Sequence, residues 1–449
     1  MAGTTVASAD VLQVPGDFPT IQIAINLAAA DDEIVVGPGT YFEDLDFLGK
    51  RLTLRSSGGA AATTINAIGR FEPVITIQGA SADGSVIEGF TLTNGQATDP
   101  SPGNRGGGIY IDNANVTVRD SVITGNLATI GGAIYSNASN LTIESTIIEA
   151  NEAASSGGGL YLNQSDFSAS DTVFASNVSD NPGGAAFLIG GSSSIGNCEF
   201  IGNTALDRGG AINSTTGHQL LVFNSTFHGN AVGNANTEGR GGAIYHISTT
   251  DAVINNSLFT ENSATAYGGA LYAADGILVR NSTFVGNTTD TGLDGLTGSG
   301  SARLRNCIAW DNGTDPMPTS GNIATYSLIE GGFPGLGNLG GDSADEPLFV
   351  NRAGGDFRLL AGSPGIDAGN SGSMPTDVNT DFNGEPRVVN ALDTGASGVP
   401  VFGYYIDMGA FEFQPEGTGP TCFGDANGDG QINLADLNAV LAAFGSVCP

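Results

Sequence analysis

Apolar positions in the middle of this chain return with two periods at once. Within short runs such as "NVTVRDSVI", "NLTIESTII" and "GILVRNSTF" they alternate with polar residues, the two-residue period of a half-buried strand. Across runs they return about every 26 residues. Each unit opens with a glycine pair, at 106, 131, 157, 183, 209, 241 and 268. Each closes on an asparagine: Asn126, Asn151, Asn177, Asn203, Asn230, Asn262 and Asn287, with Asn312 continuing the series. No run inside the repeat has the length or periodicity of a helix. A strand-rich repeat of this size predicts a solenoid, because one unit buries its apolar face only against its neighbours. Three short strands and three turns fill one unit. The predicted architecture is all-β, a right-handed parallel β-helix of about eleven coils between residue 34 and about residue 330, stacked about 4.8 Å apart.

Aligning the coils on the closing asparagine assigns the columns. Three residues before it stand Ile123, Ile148, Phe174, Phe200, Phe227, Phe259 and Phe284, an apolar stack for the bore. Six before it stand Asp120, Ser145, Asp171, Asn197, Asn224, Asn256, Asn281 and Asn306. Such residues tolerate left-handed turns and bond to their copies one coil away, so this column is expected to form asparagine ladders. The glycine pair makes another turn, where positive φ and close backbone approach favour residues without a Cβ. Alternation then sends Ile109, Ile134 and Ile244 inward, and Tyr110, Tyr135, Tyr161, Tyr245 and Tyr272 outward. The tyrosine column reads as a stacking ladder that stiffens the coil, or alternatively as a platform for sugar rings. Cys198 and Cys307 share a column otherwise filled by Ser and Thr and lie four coils apart. At about 4.8 Å per coil that exceeds the roughly 7 Å a disulfide allows between Cα atoms. Both are expected to be buried free thiols.

The two ends depart from the repeat. Upstream, "DFPTIQIAINLAAA" (17–30) gathers Ile21, Ile25 and Ala28 on one face of a short amphipathic helix, suited to capping the first coil. Ala7-Ser8-Ala9 has the small-residue pattern of a signal-peptidase site without a preceding basic or apolar stretch. Residues 1–9 are read as a residual export signal or a flexible tail. Downstream, "DANGDGQINLAD" sets Asp425, Asn427, Asp429, Gln431, Asn433 and Asp436 at loop positions 1, 3, 5, 7, 9 and 12, with Gly430 at position 6. This is an EF-hand-type loop: a hard cation such as Ca2+ takes a ring of oxygens, and position 6 needs a sharp turn. The helix expected after it has Leu437, Val440, Leu441 and Phe444 on one face and ends at Gly445. Cys422 and Cys448 bracket this 28-residue module. So small a module leans on a disulfide or a metal, and both are expected here, a Cys422–Cys448 bridge and Ca2+ as cofactor.

Charge narrows the partners. Fourteen basic residues face 46 acidic ones, a net charge of −32, and Lys50 is the only lysine. Such a surface repels nucleic acid and anionic membranes. The apolar runs fall short of the roughly 18–20 residues a spanning helix needs. Neither a nucleic-acid partner nor a membrane span is expected.

Several stretches resemble known families. "VPGDFPTIQIAINLAAADDEIVVGPGTYFE" resembles the opening of secreted right-handed β-helix proteins of the pectin-lyase-like superfamily. The paired words "GGAI" or "GGAL" and "FxxN" are similar to the repeats of bacterial polymorphic outer-membrane adhesins. "EPLFVNRAGGDFRLLAGSPGIDAGN … DFNGEPRVV … IDMGAFEF" (346–413) resembles the choice-of-anchor Q domain found behind β-helices in bacterial surface proteins. Asp436 at position 12 of the loop resembles dockerin modules, which carry two loop–helix repeats where this chain has one. These resemblances imply export and a surface setting. The expected organisation is a tail at 1–9, the β-helix at 10–338, a C-terminal cap at 339–413, a linker at 414–421 and the calcium module at 422–449.

Catalysis is tested residue by residue. Polygalacturonase-like enzymes of this fold use "NTD", a paired "DD", "GHG" and "RIK" along the coils. Here Asn379-Thr380-Asp381 falls in the C-terminal cap, Asp31-Asp32 precedes the coils, and "GHG" and "RIK" are missing. Arg105, Arg208 and Arg240 stand just before glycine pairs, in positions expected to be too far apart to act together. His218, His228 and His246 lie on adjacent coils, His228 in the variable slot of "FxxN". Three turns before glycine pairs are long, at 95–105, 231–240 and 288–300, where solenoids often bind. The sequence therefore reads as an exported, non-catalytic cell-surface or extracellular-matrix protein, adhesin-like, stabilised by calcium, with cell-surface glycans or other surface proteins as partners. One alternative is a polysaccharide-binding protein or a polysaccharide lyase or hydrolase. Another is a homo-oligomer or filament subunit joined through the coil ends or the C-terminal module.

Overall fold

Every regular coil carries four strands rather than three. One coil runs Ile134–Asn137, Asn140–Glu144, Ile147–Glu149 and Glu152–Ser156, and each strand pairs in parallel with its counterpart in the next coil. Ile109, Ile134 and Leu160 stand in one register column, Tyr110, Tyr135 and Tyr161 in the next. Strands after the glycine pairs join Leu45–Asp46 and Ile75–Gln78 in a nine-stranded sheet that ends at Leu271–Ala273, and those after the closing asparagines join Gln96–Ala97 in an eight-stranded sheet that ends at Thr288–Thr289. The strand missed by sequence is the last one. It shrinks to two residues at Val178–Ser179 and Thr204–Ala205, too short for alternation to show.

The computed structural model describes residues 9–414 except 99–103, 235, 274–275, 291–295, 297–301, 314–316, 318–320, 375–377, 390–396 and 401–404. The described chain falls into two units. The first, the parallel β-helix, takes residues up to 279 with 284–303 and 309–323; the second takes 280–283, 304–308 and 324 onward.

The interior ladder lies in a different column from the one expected. The residues six before the closing asparagine do occupy left-handed turns, with φ of 50° at Asp120, 51° at Asp171 and 53° at Asn197. Their side chains bond to one another in some coils, Asn256 to Asn224 at 2.7 Å, Asn306 to Asn281 at 3.0 Å and Asn197 to Asp171 at 3.4 Å. The continuous ladder is made by the closing asparagines themselves. Each Nδ2 donates to the next coil's Oδ1, from Asn126 through Asn151, Asn177, Asn203, Asn230, Asn262 and Asn287 to Asn312, at 2.8–3.0 Å. The same amide donates to the preceding coil's core carbonyl, as Asn177 does to Ile148 at 2.8 Å and Asn203 to Phe174 at 2.8 Å. Turn conformation is visible in residue type; which of two polar columns faces inward is decided by the path of the coil.

Beside the ladder, Phe174, Phe200, Phe227, Phe259 and Phe284 stack with centroids 4.6–4.7 Å apart and planes within 12°. The glycine pairs are fixed for two separate reasons. The first glycine has positive φ, 66° at Gly131 and 69° at Gly157. The second admits no Cβ, which at Gly132 would stand 2.3 Å from the Gly158 carbonyl oxygen of the next coil. Cys198 and Cys307 are buried free thiols, as expected. Cys198 Sγ donates to Gly196 O at 3.2 Å, the bond that Ser121 and Ser225 make in the same column at 2.8 Å. Burial pushes both thiols up to about 12.

The helix Ile21–Leu27 buries Ile21, Ala24 and Ile25 and packs on the strands Val11–Val14, Glu33–Val36 and Leu45–Asp46. Thr20 caps its start by accepting from Ile23 N, and Glu43 accepts from Ile21 N and Gln22 N at 3.0 and 2.9 Å. Lys50, the single lysine, donates to the carbonyls of Ile25, Asn26 and Ala28 at 2.8, 3.0 and 2.8 Å. A cation at the last turn satisfies orphan carbonyls and opposes the helix dipole.

In the second unit Phe349–Asn351 runs antiparallel to Asp356–Leu359. Its remaining segments are tied by buried carboxylates bonding to backbone. Asp407 accepts from Asp367 N at 2.8 Å and Phe413 N at 2.5 Å. Asp381 accepts from Asn383 N, Glu385 N and Glu412 N at 2.8, 3.0 and 2.9 Å. Glu412 accepts from Asp407 N at 3.0 Å, and Arg387 donates to the Gly409 carbonyl.

Replacing one ladder rung tests what holds the coils. Asn177→Ala removes two donated and two accepted side-chain bonds at a buried site. Leaving buried polar groups unsatisfied costs about 1–3 kcal/mol each, so a loss of about 2–4 kcal/mol is expected in denaturant melts. A change within error would show that the ladder is incidental to stability.

Candidate functional site

The outer face of the sheet that follows the glycine pairs carries the aromatic column. Tyr110 stacks on Tyr135 at 5.5 Å and 7°, Tyr135 on Tyr161 at 5.5 Å and 19°, and Tyr161 on Phe187 at 5.0 Å and 25°. Asn213 takes the next place in register and interrupts the stack, which resumes as Tyr245 on Tyr272 at 5.2 Å and 2°. Burial raises the phenol pKa of Tyr110, Tyr135, Tyr161 and Tyr245. These rings lie across the axis, so each inner ring gives both faces to its neighbours. A sugar stacks on a free face. Inner rings of the column therefore turn edges, not faces, toward solvent, as a stacking ladder would.

Arginines cover it. The Arg105 guanidinium lies 5.1 Å from the Tyr135 ring centre and donates to its hydroxyl at 3.1 Å. Arg208 lies 5.4 Å from Tyr245; Arg240 lies 5.5 and 5.6 Å from Tyr267 and Tyr272. Arg208 and Arg240 also pair by a parallel backbone bridge, so two of the three arginines expected to stand apart are neighbours. The intervening step of 32 residues holds an inserted turn and spans one coil.

The histidines do not form one cluster. His218 is buried, with Nε2 2.8 Å from Ser193 Oγ and Nδ1 2.6 Å from Gly190 O. His246 is buried between Ser214 Oγ at 3.2 Å and Thr250 O at 2.8 Å. His228 sits on the outer face of another sheet with Nδ1 2.9 Å from Thr260 Oγ1. The carboxylate motifs are structural too. Asp32 accepts from Asp10 N at 2.9 Å and Ala29 N at 2.7 Å, Asp31 pairs with Arg51, and Asp381 ties backbone in the second unit. Asp425, Asn427, Asp429, Gln431, Asn433, Asp436, Cys422 and Cys448 lie outside the described residues.

One concave site was not anticipated. A cleft of about 630 Å³ beside the start of the helix is lined by Phe42, Asp44, Asp46, Arg70 and Glu72, among others. Gln22 fixes one wall by donating to Asp46 O at 3.0 Å and accepting from Asp46 N at 2.8 Å. Arg70 fixes another by donating to Phe42 O at 2.8 Å while lying 3.5 Å from Asp44. No local motif announces it, because its lining comes from three separate stretches of chain.

His218 gives this unit a pH response. Burial lowers its pKa, favouring the neutral ring in the folded state. Its stabilising contribution is therefore complete above the unfolded value of about 6.5 and is lost as pH falls below it. Melting temperature should drop more between pH 7.5 and 5.5 for the native chain than for His218→Gln; equal slopes would rule this histidine out as the cause.

Residues 72–232 match the family model of the right handed beta helix region, and residues 256–274 match the Chlamydia polymorphic membrane protein repeat. Among solved structures the chain is similar to a pectate lyase at 13% identity and a TM-score of 0.47, covering 91% of this chain and 98% of that one. It is similar to the catalytic unit of a thermostable alpha-1,3-glucanase from Streptomyces thermodiastaticus at 16% identity and a TM-score of 0.40, covering 74% and 70%. It is also similar to the receptor-binding tailspike protein of bacteriophage Det7 at 12% identity and a TM-score of 0.24, covering 82% and 87%. No curated protein matches the chain by sequence. With its parallel four-sheet coils and the family model over 72–232, the fold is a right-handed parallel β-helix.

Proposed function

We propose that this chain is an exported cell-surface or extracellular-matrix protein, adhesin-like and non-catalytic, whose coils form a stiff display scaffold and whose C-terminal loop binds Ca2+. The observation that carries this reading is the match of residues 256–274 to the polymorphic membrane protein repeat. That stretch, "NSLFTENSATAYGGALYAA", contains the ladder residue Asn262, the core ring Phe259 and the glycine turn at Gly268. What recurs along the chain is scaffold, with variation left to the outer turns. The helix Ile21–Leu27 would close the first coil, held there by Lys50 and Glu43. In the native cells, brief external protease treatment should remove the protein and immunogold should label the cell surface or its matrix. A pool resistant to protease until the cells are broken would reject the surface assignment.

The Ca2+ site rests on Asp425, Asn427, Asp429, Gln431, Asn433 and Asp436, oxygen ligands at calcium-loop spacing, with a Cys422–Cys448 bridge pre-ordering the loop. Extracellular loops of this kind bind at about 10⁻⁴–10⁻³ M. Titration calorimetry of the full chain should show one such site, and Asp425→Ala should abolish its heat. A native chain with no calcium-dependent heat would reduce the loop to a turn.

A second reading, polysaccharide binding or degradation, is favoured by the cleft at Phe42, Asp46 and Arg70. Incubation with polygalacturonate, alginate and neutral glucans is expected to release neither unsaturated products nor new reducing ends. Turnover that disappears in Asp46→Asn would establish the second reading instead.

A further inference from the structure

Four carboxylates and one guanidinium are shut inside the second unit. Asp367, Asp381, Asp407, Glu412 and Arg387 are each no more than 4% exposed. Fully ionised, four negative charges would face one positive charge. Buried charge without a partner is costly enough that such groups neutralise instead. One oxygen shows where the balance fails. Glu412 Oε2 takes the Asp407 amide at 3.0 Å and lies 3.9 Å from Arg387 Nε, whereas Glu412 Oε1 is buried and makes no hydrogen bond within 3.5 Å among the described residues, the Val389 amide acting on the carboxyl more weakly. Asp407 stands on the other end of the same backbone link, with both its oxygens already accepting amides.

The charged groups around the pair are Arg387, Asp367 and Asp381, which accepts from Glu412 N at 2.9 Å, and Cys307 is a further titratable group near Arg387. Burial pushes Asp407 up to about 7, against the pull of the Asp367 and Phe413 amides and Arg387. Burial first, and then the charge of Asp407, hold Glu412 well above the ordinary carboxylate range. Two carboxyls coupled in this way titrate as a pair.

We infer that Asp407 and Glu412 form a proton-held latch: the second unit is closed while the pair keeps a proton and loosens when both carboxyls ionise. The sign follows from linkage. A folded-state pKa above the unfolded value means that the folded form binds the proton more tightly. The latch contribution is complete below the unfolded carboxyl values of about 4 and is lost as pH rises through the folded-state values, about 7 for Asp407 and well above the ordinary carboxylate range for Glu412. The proton passes to solvent, and no other group changes chemically. The loosened parts are those the carboxylates tie: the segment around Asp367, the turn 381–387 and the stretch 405–413. Their apolar members include Ile406, Met408 and the edge-on pair Phe382–Phe411 at 5.4 Å. A protein in an external medium would thereby read that medium's pH, closed in mild acid and loosened in mild alkali. This response is opposite in sign to that of His218 in the first unit, and it goes beyond the surface assignment without depending on it.

The test uses the full chain between pH 5 and 9. Two readouts are followed, fluorescence of an apolar-surface dye and amide protection factors in peptides covering 365–370 and 405–413. Dye fluorescence should rise and protection should fall with a midpoint at or above about 7, reversibly on re-acidification, while peptides carrying Asn151 to Asn262 stay protected. Glu412→Gln, which mimics the protonated form and cannot ionise, should abolish the loosening up to pH 9. Asp407→Asn should do the same. A flat native profile from pH 5 to 9 overturns the latch, and so does an unchanged midpoint in folded Glu412→Gln. Should both variants fail to fold, carboxyl-carbon NMR of the native chain decides. A Glu412 resonance titrating in the ordinary carboxylate range rejects the proposal, and one titrating near or above neutrality supports it.

Discussion

An asparagine side chain presents two donors and one acceptor oxygen, and this fold uses them along a line. Inside each coil, Asn Nδ2 donates once to its copy in the next coil and once to the core carbonyl of the coil before. The backbone amide of the same residue donates to the same neighbouring Oδ1, as Asn151 N does to Asn177 at 3.2 Å. A turn that would otherwise bury unsatisfied polar groups is thereby satisfied by repetition. The constraint is mutual: the bonds need coils stacked at strand spacing, and the stacked strands keep the asparagines in reach. Other features accommodate this spacing. The phenylalanines stack at 4.6–4.7 Å, nearly parallel, although isolated rings prefer an offset or edge-on arrangement. The second glycine of each pair yields its Cβ because the next coil's carbonyl occupies that space.

The outer surface obeys the same spacing with looser consequences. Tyrosines above one another stack because the register leaves them no other neighbour, and where Asn213 replaces a ring the Arg208 guanidinium covers the next one, Tyr245. A planar cation is a fair substitute for a ring against an aromatic face. Solvent then meets ring edges and arginine side chains. That face is suited to stiffness, while a concave surface is present at the cleft beside the N-terminal helix.

The second unit solves the backbone problem without a ladder. It satisfies amides by carboxylates: Asp381 and Asp407 each accept from groups in more than one segment, and Glu412 accepts from the Asp407 amide. Neutral asparagines make the first unit's interior indifferent to pH at that ladder. Acids in the same role are compact and strong acceptors, but they bring charge into a site with one compensating arginine. The difference between the two units is therefore chemical as well as topological.

The sequence by itself determined the solenoid. A period near 26, the alternation inside "NLTIESTII" and the glycine pairs have no other packed solution, and the apolar column ending in Phe284 was readable as the bore. The helix over 21–27 and the buried thiols of Cys198 and Cys307 were equally legible, since amphipathic spacing and column membership are local facts. What only the tertiary structure decided was where each polar column points. Asp120, Asn197 and Asn256 announce a left-handed turn by residue type, but whether that turn's side chain or the closing Asn126, Asn203 and Asn262 faces inward depends on how far the chain bends between sheets. The adjacency of Arg208 and Arg240 was hidden by an inserted turn, because contour length along the chain is not distance along the axis. The cleft of Phe42, Asp46 and Arg70, and the meeting of Asp407, Glu412 and Arg387, unite residues from separate segments. No spacing rule encodes such a meeting, since it is fixed only when the whole fold closes around it.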